Sequence, residues 1–385
     1  MSNPLRYALG MQDSGAFRWL STGDEAFAAT RDAIQNSRSS VRFETYIYAP
    51  GSPGSDYLDL LIAASRRGVQ VRVLLDAFGS LLLPESFWSP LREAGAEVRW
   101  FNRMSLDRFN IRNHRKLIVC DDAIALVGGF NVAPVSLGDG VQSGWRDVGL
   151  RLTGPLVPKL ADSFETMFSL ADFRHRRLSR LRKSDARREV RAAGGELLLS
   201  GPGRGRNLIR QSLRTDLAST DSVRIIAGYF LPPLRLRRAI ARVARRDGRV
   251  QLILAGKSDV PLMQAAARSL YQRLLRAGVE IYEYEPQVLH TKLLLFDRTV
   301  YVGSANLDVR SFRINYELML RLTDPGVVRE AGDVFESHLR HGRRIERGEW
   351  RKSRTLWAKL RERVALLLFT RIDPLVARRQ LRSFR

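Results

Sequence analysis

The stretch Asn113-His-Arg-Lys-Leu-Ile-Val-Cys-Asp121 occurs a second time, in variant form, as Leu289-His-Thr-Lys-Leu-Leu-Leu-Phe-Asp297. Each copy consists of His, any residue, Lys, a short run of mostly apolar residues and Asp. Each copy continues into an apolar run and a small-residue turn that ends in Asn131 or Asn306. Because the chain has only five His, two of them opening the same pattern indicate an internal duplication.

The residues around each copy predict the same order of strands and helices. Alternating or continuous apolar runs predict strands, and apolar residues at helical spacing predict the helices between them. The main predicted elements are strands at 41–48 and 69–75 around a helix at 57–67, then strands at 222–227, 250–255 and 280–284 separated by helices at 233–246 and 260–277. Strands that alternate with helices are typical of an α/β fold. The sequence therefore predicts two pseudo-symmetric α/β halves.

Composition divides the chain further. A run rich in Arg and Lys, residues 174–195, separates an N-terminal half (1–173) from a C-terminal half (196–345), and a basic tail (346–385) follows. The linker has two compatible interpretations, a solvated connection and a basic patch for phosphates. In the tail, apolar residues near helical spacing alternate with Arg and Lys: Trp350, Trp357, Leu360, Val364, Leu367 and Leu368. This pattern predicts either an amphipathic helix in a membrane interface or a terminal helix docked on the globular body.

The net charge narrows the class of partner. A formal charge of +24 and a pI near 11.1 indicate an anionic partner, either nucleic acid or an anionic membrane surface. Cys120 is the only cysteine, which excludes an intramolecular disulfide and a Cys-rich metal site. No apolar run approaches the length that spans a bilayer. If the protein works at a membrane, we therefore expect it to lie on the surface.

The repeated motif carries residues suited to phosphoryl chemistry. Alternation along a strand puts His114 and Lys116 on one face, and it does the same for His290 and Lys292. Two His can provide a nucleophile and a general acid near neutral pH, and two Lys can stabilise a phosphoryl group. Asn131 and Asn306 can donate hydrogen bonds to the same oxygens. The alternative is a pair of structural strands with polar residues, which two equivalent copies with their Asn turns argue against.

These motifs resemble the phospholipase D superfamily, whose signature is two copies of His-x-Lys-x4-Asp followed by a small-residue turn and Asn. Further stretches resemble its bacterial cardiolipin synthase branch: Glu44-Thr-Tyr, Gly79-Ser80, Trp145-Arg-Asp147, Tyr229-Phe-x-Pro, Gly303-Ser-x-Asn-Leu-Asp-x-Arg-Ser311 and Asn315-x-Glu317. The resemblance covers nearly the whole chain and implies a duplicated phospholipase D-like α-β-α sandwich with the active site between the halves. Most members of that branch carry N-terminal transmembrane helices, and this sequence resembles the shorter, peripheral forms.

The resemblance also implies roles for individual residues. The implied catalytic set is His114, Lys116, Asp121, His290, Lys292 and Asp297. His114 is expected to be the nucleophile and His290 the general acid and base, with the reverse order open, and Asp121 and Asp297 are expected to brace the motif. Asn131 and Asn306 would bind phosphoryl oxygens. Asp147 and Glu317 would orient His290 and His114, respectively. No metal and no cofactor is expected.

The implied reaction transfers a phosphatidyl group from one phosphatidylglycerol to another, with release of glycerol, at the cytoplasmic face of the cell membrane. The anionic phospholipid substrate and the peripheral membrane contact agree with the charge and the tail. The alternatives are a lipid hydrolase, a transferase that uses another alcohol such as ethanolamine, a nuclease, and a binding protein that has lost catalysis. The two intact motif copies in one chain disfavour the last two.

Overall fold

The computed structural model describes residues 16–102, 111–171, 189–202 and 207–372. Within these ranges the chain forms a seven-stranded and a nine-stranded mixed sheet. Residues 174–188 of the predicted linker and 373–385 of the predicted tail lie outside the described residues.

The first half supplies the seven-stranded sheet and four helices. Its strands are β1 (Phe17–Leu20), β2 (Ser40–Thr45), β3 (Gln70–Asp76), β4 (Glu97–Phe101), β5 (Leu117–Cys120), β6 (Ile124–Gly128) and β7 (Gly149–Thr153). Its helices are α1 (Gly23–Gln35), α2 (Gly54–Arg66), α3 (Ser89–Glu93) and α4 (Leu156–Leu170). The sheet order is β1-β7-β6-β5-β2-β3-β4. Strands β2, β3 and β4 run parallel because helices connect them. Strands β5, β6 and β7 run antiparallel; a short turn joins β5 to β6, and the longer segment 129–148 joins β6 to β7.

The second half repeats this arrangement with additional edge strands. Its strands are β8 (Glu189–Ala192), β9 (Gly195–Ser200), β10 (Ser222–Ala227), β11 (Arg249–Lys257), β12 (Glu280–Val288), β13 (Lys292–Phe296), β14 (Val300–Gly303), β15 (Glu317–Leu322) and β16 (Gly342–Arg344). Its helices are α5 (Leu208–Ser219), α6 (Leu234–Arg245), α7 (Pro261–Arg268), α8 (Tyr271–Arg276), α9 (Val309–Arg313), α10 (Pro325–Leu339), α11 (Arg347–Ser353) and α12 (Leu356–Leu367). In the sheet, β12-β11-β10-β13-β14-β15 corresponds to β4-β3-β2-β5-β6-β7 of the first half. The predicted duplication is therefore present in the topology.

The two sheets share one apolar core. This core takes residues from the inner faces of both sheets and from α4 and α10, for example Leu117, Leu150, Phe164, Leu293 and Phe335. Two further cores lie between each sheet and its outer helices. Each sheet is thus covered by helices on both faces, and the shared core joins the halves. Among the residues described, every helix is too short or too polar to traverse a lipid bilayer.

Three details differ from the sequence-based expectation. Residues 189–195, assigned to the linker, form β8 and the start of β9. The helix expected at 260–277 is two helices, and the break lets Arg268 and Tyr271 both bind the buried carboxylate of Glu283. In the tail, Trp350 does not join an exposed apolar face. It is buried against Tyr271, with the ring centroids 4.9 Å apart.

Candidate active site

Each histidine segment pairs with a segment of the other half that carries a carboxylate. The backbone amide of His114 donates to the carbonyl of Tyr316 (3.0 Å), and the amide of Tyr316 donates to the carbonyl of Arg112 (2.8 Å). The second copy repeats this exchange: the amide of His290 donates to the Arg146 carbonyl, and the Arg146 amide donates to the Val288 carbonyl. These pairs place the residue after Tyr316 beside His114 and the residue after Arg146 beside His290.

The carboxylates reach the histidines as predicted. Glu317 Oε2 lies 3.2 Å from His114 Nδ1, and Asp147 Oδ2 lies 2.5 Å from His290 Nδ1. A carboxylate at Nδ1 favours the tautomer in which this nitrogen carries the proton, which leaves a lone pair on Nε2. Burial raises the pKa of each carboxyl, but the adjacent imidazole with its hydrogen bond and a nearby lysine, Lys292 for Asp147 and Lys116 for Glu317, outweigh burial and hold both pKa values below the usual range. Both carboxyl groups are therefore ionised where they contact the imidazoles.

The turns after the motifs are shaped to admit these carboxylates. At Gly129 a Cβ atom would lie 2.2 Å from Asp147 Oδ1, so only glycine leaves room for this side chain. Ser304 stands at the corresponding position of the second turn, and its hydroxyl donates to Glu317 Oε2 (2.5 Å). Glu317 therefore accepts a hydrogen bond from the side chain at this turn position, whereas the Asp147 carboxylate occupies the space that a side chain at Gly129 would fill. This difference explains why one turn begins Gly-Gly and the other Gly-Ser.

Burial favours the neutral form of both histidines. Burial, followed by the charge of Lys116, lowers the pKa of His114 to about 4 despite the opposing effect of Glu317. Burial and the charge of Lys292 also lower the pKa of His290. The Lys292 charge acts at short range, since its Nζ atom lies 2.8 Å from His290 Nδ1. A neutral imidazole is the form that attacks phosphorus or accepts a proton.

The two lysines lie in the same buried environment. Lys116 Nζ donates to the carbonyl of His114 (2.8 Å) and lies 5.3 Å from the centroid of the Tyr46 ring. Burial and the charge of Lys292 lower the pKa of Lys116 to about 7. Burial also lowers the pKa of Lys292. Two adjacent cations without a bound anion are thus costly, and a phosphate between them would relieve the repulsion.

The pH dependence of kcat/KM is expected to follow from these shifts. As the pH rises through about 7, Lys116 loses its proton, and the site loses one of the two lysine charges that are expected to bind a phosphoryl group. On the acid side, kcat/KM is expected to fall only as His114 becomes protonated near pH 4. The measurement is kcat/KM on a short-chain phosphatidylglycerol between pH 4 and 9. Lys116→Arg keeps its charge throughout and should move the alkaline limb to higher pH, whereas a wild-type profile that is flat from pH 6 to 9 would contradict this assignment.

The two motif aspartates lie away from this chemistry. Asp121 accepts hydrogen bonds from the backbone amides of residues 38, 39 and 40, and Asp297 accepts from those of residues 221 and 222. Both stand at the far ends of β5 and β13 and are not among the residues that line the cavity. They anchor the motif strand to the start of its neighbour. Asp121 and Asp297 therefore hold the motif strands in position, as the expected bracing residues would.

The other face of the first motif is also braced. Asn113 Nδ2 donates to Glu44 Oε1 (2.7 Å), and Arg115 forms an ion pair with Glu44 Oε2 (3.1 Å) and a hydrogen bond with Ser163. All of these side chains are buried. Alternation along the chain therefore sends Asn113 and Arg115 into the protein and His114 and Lys116 toward the opposite half.

The histidines face one cavity of about 350 Å³ between the halves. Asn131 and Asn306, predicted from the turns, also line it. Sequence reasoning assigned no role to the other lining residues: Tyr46, Ile47, Arg112, Trp145, Tyr229, Asp259, Val260, Met263, Asp308, Arg310, Asn315 and Phe369. Several of them, such as Tyr46, Trp145 and Arg310, lie inside the motifs that carry the resemblance. Their position in those motifs could have identified them from the sequence. In the part of the chain that the structure describes, no group of three or more His, Cys, Asp or Glu is arranged to hold a metal ion.

Comparison with known proteins agrees with this geometry. The family model described as "Cardiolipin synthase, PLD-like domain" matches residues 30–169 and 213–339. Cardiolipin synthase A of Pseudomonas fluorescens Pf-5 is 34% identical over 359 residues, which covers 91% of this chain and 74% of that protein. Cardiolipin synthase 1 of Bacillus cereus is 30% identical over 383 residues, covering 94% of this chain and 73% of the relative.

A solved structure supports the fold. The phosphatidylserine synthase of Haemophilus influenzae Rd KW20 matches with a TM-score of 0.74 at 17% identity and covers 94% of both chains. At this identity the likeness shows the architecture alone, and it confirms the predicted duplicated α/β class. The family match, the identity to the curated relatives and the paired motifs lead to one conclusion. This chain belongs to the cardiolipin synthase family of phospholipase D-like proteins.

Proposed function

We propose that this protein transfers a phosphatidyl group from one phosphatidylglycerol to a second one and releases glycerol. The observation that carries the proposal is the pair of histidines that face one cavity, each with Nδ1 held by a carboxylate of the other half. Such a pair supplies one nucleophile and one proton carrier to a phosphodiester between the two lysines. The names of the curated relatives support a lipid substrate.

The reaction proceeds in two displacements. Nε2 of one histidine attacks phosphorus and the bond from phosphorus to the glycerol oxygen breaks. The other histidine enters this step as the imidazolium and donates its Nε2 proton to the departing alkoxide, which leaves it neutral. That histidine then accepts the proton of the incoming hydroxyl, whose oxygen attacks phosphorus and breaks the phosphorus–nitrogen bond. By family resemblance His114 is the nucleophile and His290 carries the proton. Lys116, Lys292, Asn131 and Asn306 stabilise the charge on the phosphoryl oxygens.

Lipid product analysis tests this proposal. Purified protein is incubated with phosphatidylglycerol vesicles in the presence of EDTA, and lipids and free glycerol are quantified. The proposal predicts cardiolipin and glycerol in equal amounts. Phosphatidic acid as the main product would instead identify a hydrolase with the same site, and a product formed only with an added alcohol such as ethanolamine would identify a different acceptor.

We further propose that the protein binds the cytoplasmic face of the membrane through α12. Its outward face is apolar, with Leu356 83% and Trp357 80% exposed and Leu360, Val364 and Leu367 also exposed. The basic residues Lys359, Arg361 and Arg363 lie on the same helix. An exposed apolar face bordered by cations suits an anionic lipid surface.

The position of α12 relative to the cavity supports this assignment. The helix packs on α7, which contributes Met263 to the cavity wall, and Phe369, just after α12, lines the same cavity. Leu262 of α7 is also exposed. A lipid surface on α12 would therefore lie next to the entrance through which a phospholipid head group reaches the histidines.

Replacing Trp357 and Leu360 together by Glu is expected to weaken binding to phosphatidylglycerol vesicles by at least about tenfold, because two large apolar contacts are lost. The measurement is vesicle cosedimentation. Activity on a dispersed short-chain lipid should remain near that of the wild type. Leu234→Glu is a matched control, since this exposed leucine begins α6. Unchanged vesicle binding by the double variant would remove the proposed role of α12.

A further inference from the structure

The two sides of the catalytic cavity differ at three corresponding positions. Two residues before the histidine, the first copy has Arg112 and the second has Val288. Four residues after the turn asparagine, the second copy has Arg310 and the first has Val135. Two residues before the orienting carboxylate, the second copy has Asn315 and the first has Trp145.

The polar member of each pair lies on the same side. Arg112 precedes His114, and Arg310 and Asn315 precede Glu317, the partner of His114. All three polar residues line the cavity. A pseudo-symmetric site thus has one lobe with two guanidinium groups and an amide, and we name Arg112, Arg310 and Asn315 the arginine lobe. The opposite positions carry apolar side chains, so the lobe is not required by the chemistry that both copies share.

The arginine lobe adjoins the catalytic groups without coinciding with them. Arg112 is buried, forms an ion pair with Asp76 (3.3 Å), and lies 5.0 Å from the centroid of the Phe78 ring. The Tyr46 ring packs edge-on to His114 at 4.9 Å. Burial, followed by the charge of Asp76, raises the pKa of Tyr46 to about 12, and the charges of Arg112 and Arg310 oppose the shift. Tyr46 lines the same cavity as His114 and the lobe.

Asn315 adds an acceptor with a fixed orientation. Its Nδ2 donates to Glu317 Oε1 (3.2 Å), which assigns the amide because an ionised carboxylate can only accept. The other amide atom, Asn315 Oδ1, is buried and has no hydrogen-bond partner in the described parts of the chain. A buried acceptor without a partner is costly. A ligand hydroxyl in the cavity would satisfy it.

We propose that the arginine lobe is the acceptor subsite, which binds the phosphodiester and a free glycerol hydroxyl of the second phospholipid. This inference rests on the proposed function. The transferred phosphoryl group is already served by the two lysines and the two turn asparagines. Two guanidinium groups beside it, one of which also contacts Asp76, match an acceptor that carries a phosphate of its own, and Asn315 matches a hydroxyl on the same head group. The lobe would thus favour a phospholipid over water or a simple alcohol as acceptor.

Arg310→Gln tests the subsite by comparing two acceptors. Cardiolipin formation from phosphatidylglycerol is expected to fall roughly 10- to 100-fold, the effect of losing a charge-assisted hydrogen bond. Transfer of the same phosphatidyl group to ethanol, which has no phosphate, is expected to fall less than about threefold. Arg313→Gln, an exposed arginine on the same helix, is the control and should leave both products near wild-type amounts. Equal losses for both acceptors, or no loss of cardiolipin, would overturn the proposal.

A binding measurement decides the point independently of the products. Calorimetric titration of the His114→Asn protein with glycerophosphoglycerol, the deacylated head group, is expected to give two equivalents. The same protein with Arg310→Gln is expected to give one. If wild-type protein makes no cardiolipin, the proposed function fails. A decrease from two bound equivalents to one on Arg310→Gln would still support the second anion site in that case. One equivalent in the protein that retains Arg310, or two in the double variant, would overturn it.

Discussion

His114→Asn and His290→Asn are each expected to lower phosphatidyl transfer by about 1,000-fold or more, because each removes a group that no neighbour can replace. Without His114 the phosphorus has no imidazole nucleophile, and without His290 the leaving alkoxide has no proton donor. The measurement is the initial rate of cardiolipin formation. His341→Asn is the control, since this exposed histidine lies outside the cavity, and its rate should stay near that of the wild type.

The leaving group separates the roles of the two histidines. In a phosphatidyl ester of p-nitrophenol, the leaving group is the stable p-nitrophenolate anion, which departs without protonation, so the first displacement needs the nucleophile but not the acid. The p-nitrophenol burst is therefore expected to survive in His290→Asn and to be absent in His114→Asn. A burst in both variants would contradict covalent catalysis by either residue. The reverse pattern would exchange the roles within the same site.

Asp147→Asn is expected to lower kcat by roughly 100- to 10,000-fold while the fold is retained. The carboxylate lies 2.5 Å from His290 Nδ1 and stabilises the imidazolium that forms during proton transfer. An amide at this place carries no charge and can donate to Nδ1, which favours the tautomer with the proton on Nε2. In that tautomer His290 cannot accept the proton of the incoming hydroxyl.

The expected signature of Asp147→Asn is a loss in kcat with little change in KM, measured together with thermal unfolding. Asp162→Asn, an exposed aspartate on α4, is the matched control. A rate near that of the wild type in Asp147→Asn would show that the contact with His290 is structural. A large drop in unfolding temperature would assign the loss to folding instead.

The sequence predicts the contacts of His114 with Glu317 and of His290 with Asp147, because the duplication constrains each of them twice. The spacing in each copy identifies His114, Lys116, His290 and Lys292, and the matching motifs identify the carboxylates that cross between halves. The crossing itself depends on backbone pairs such as His114 with Tyr316, which periodicity in one segment does not reveal. The resemblance to known motifs supplied that step.

Other features depend on tertiary packing and were not predicted. Trp350 fits the apolar spacing of the tail, yet it is buried against Tyr271, because a packed neighbour decides which apolar residues face inward. Asp259 and Phe369 line the cavity from elements that carry no recognisable motif. The helix break between α7 and α8 serves Glu283 on β12, a contact that no local pattern records.

Mapping the covalent intermediate tests the central claim that the two motif copies form one phosphotransfer site. Turnover of short-chain phosphatidylglycerol is quenched with base, under which phosphohistidine survives, and peptides are examined by mass spectrometry. We predict a single phosphatidyl adduct on the peptide that contains His114, absent from His114→Asn protein. Finding no adduct on either His114 or His290 while cardiolipin is being formed would contradict the account.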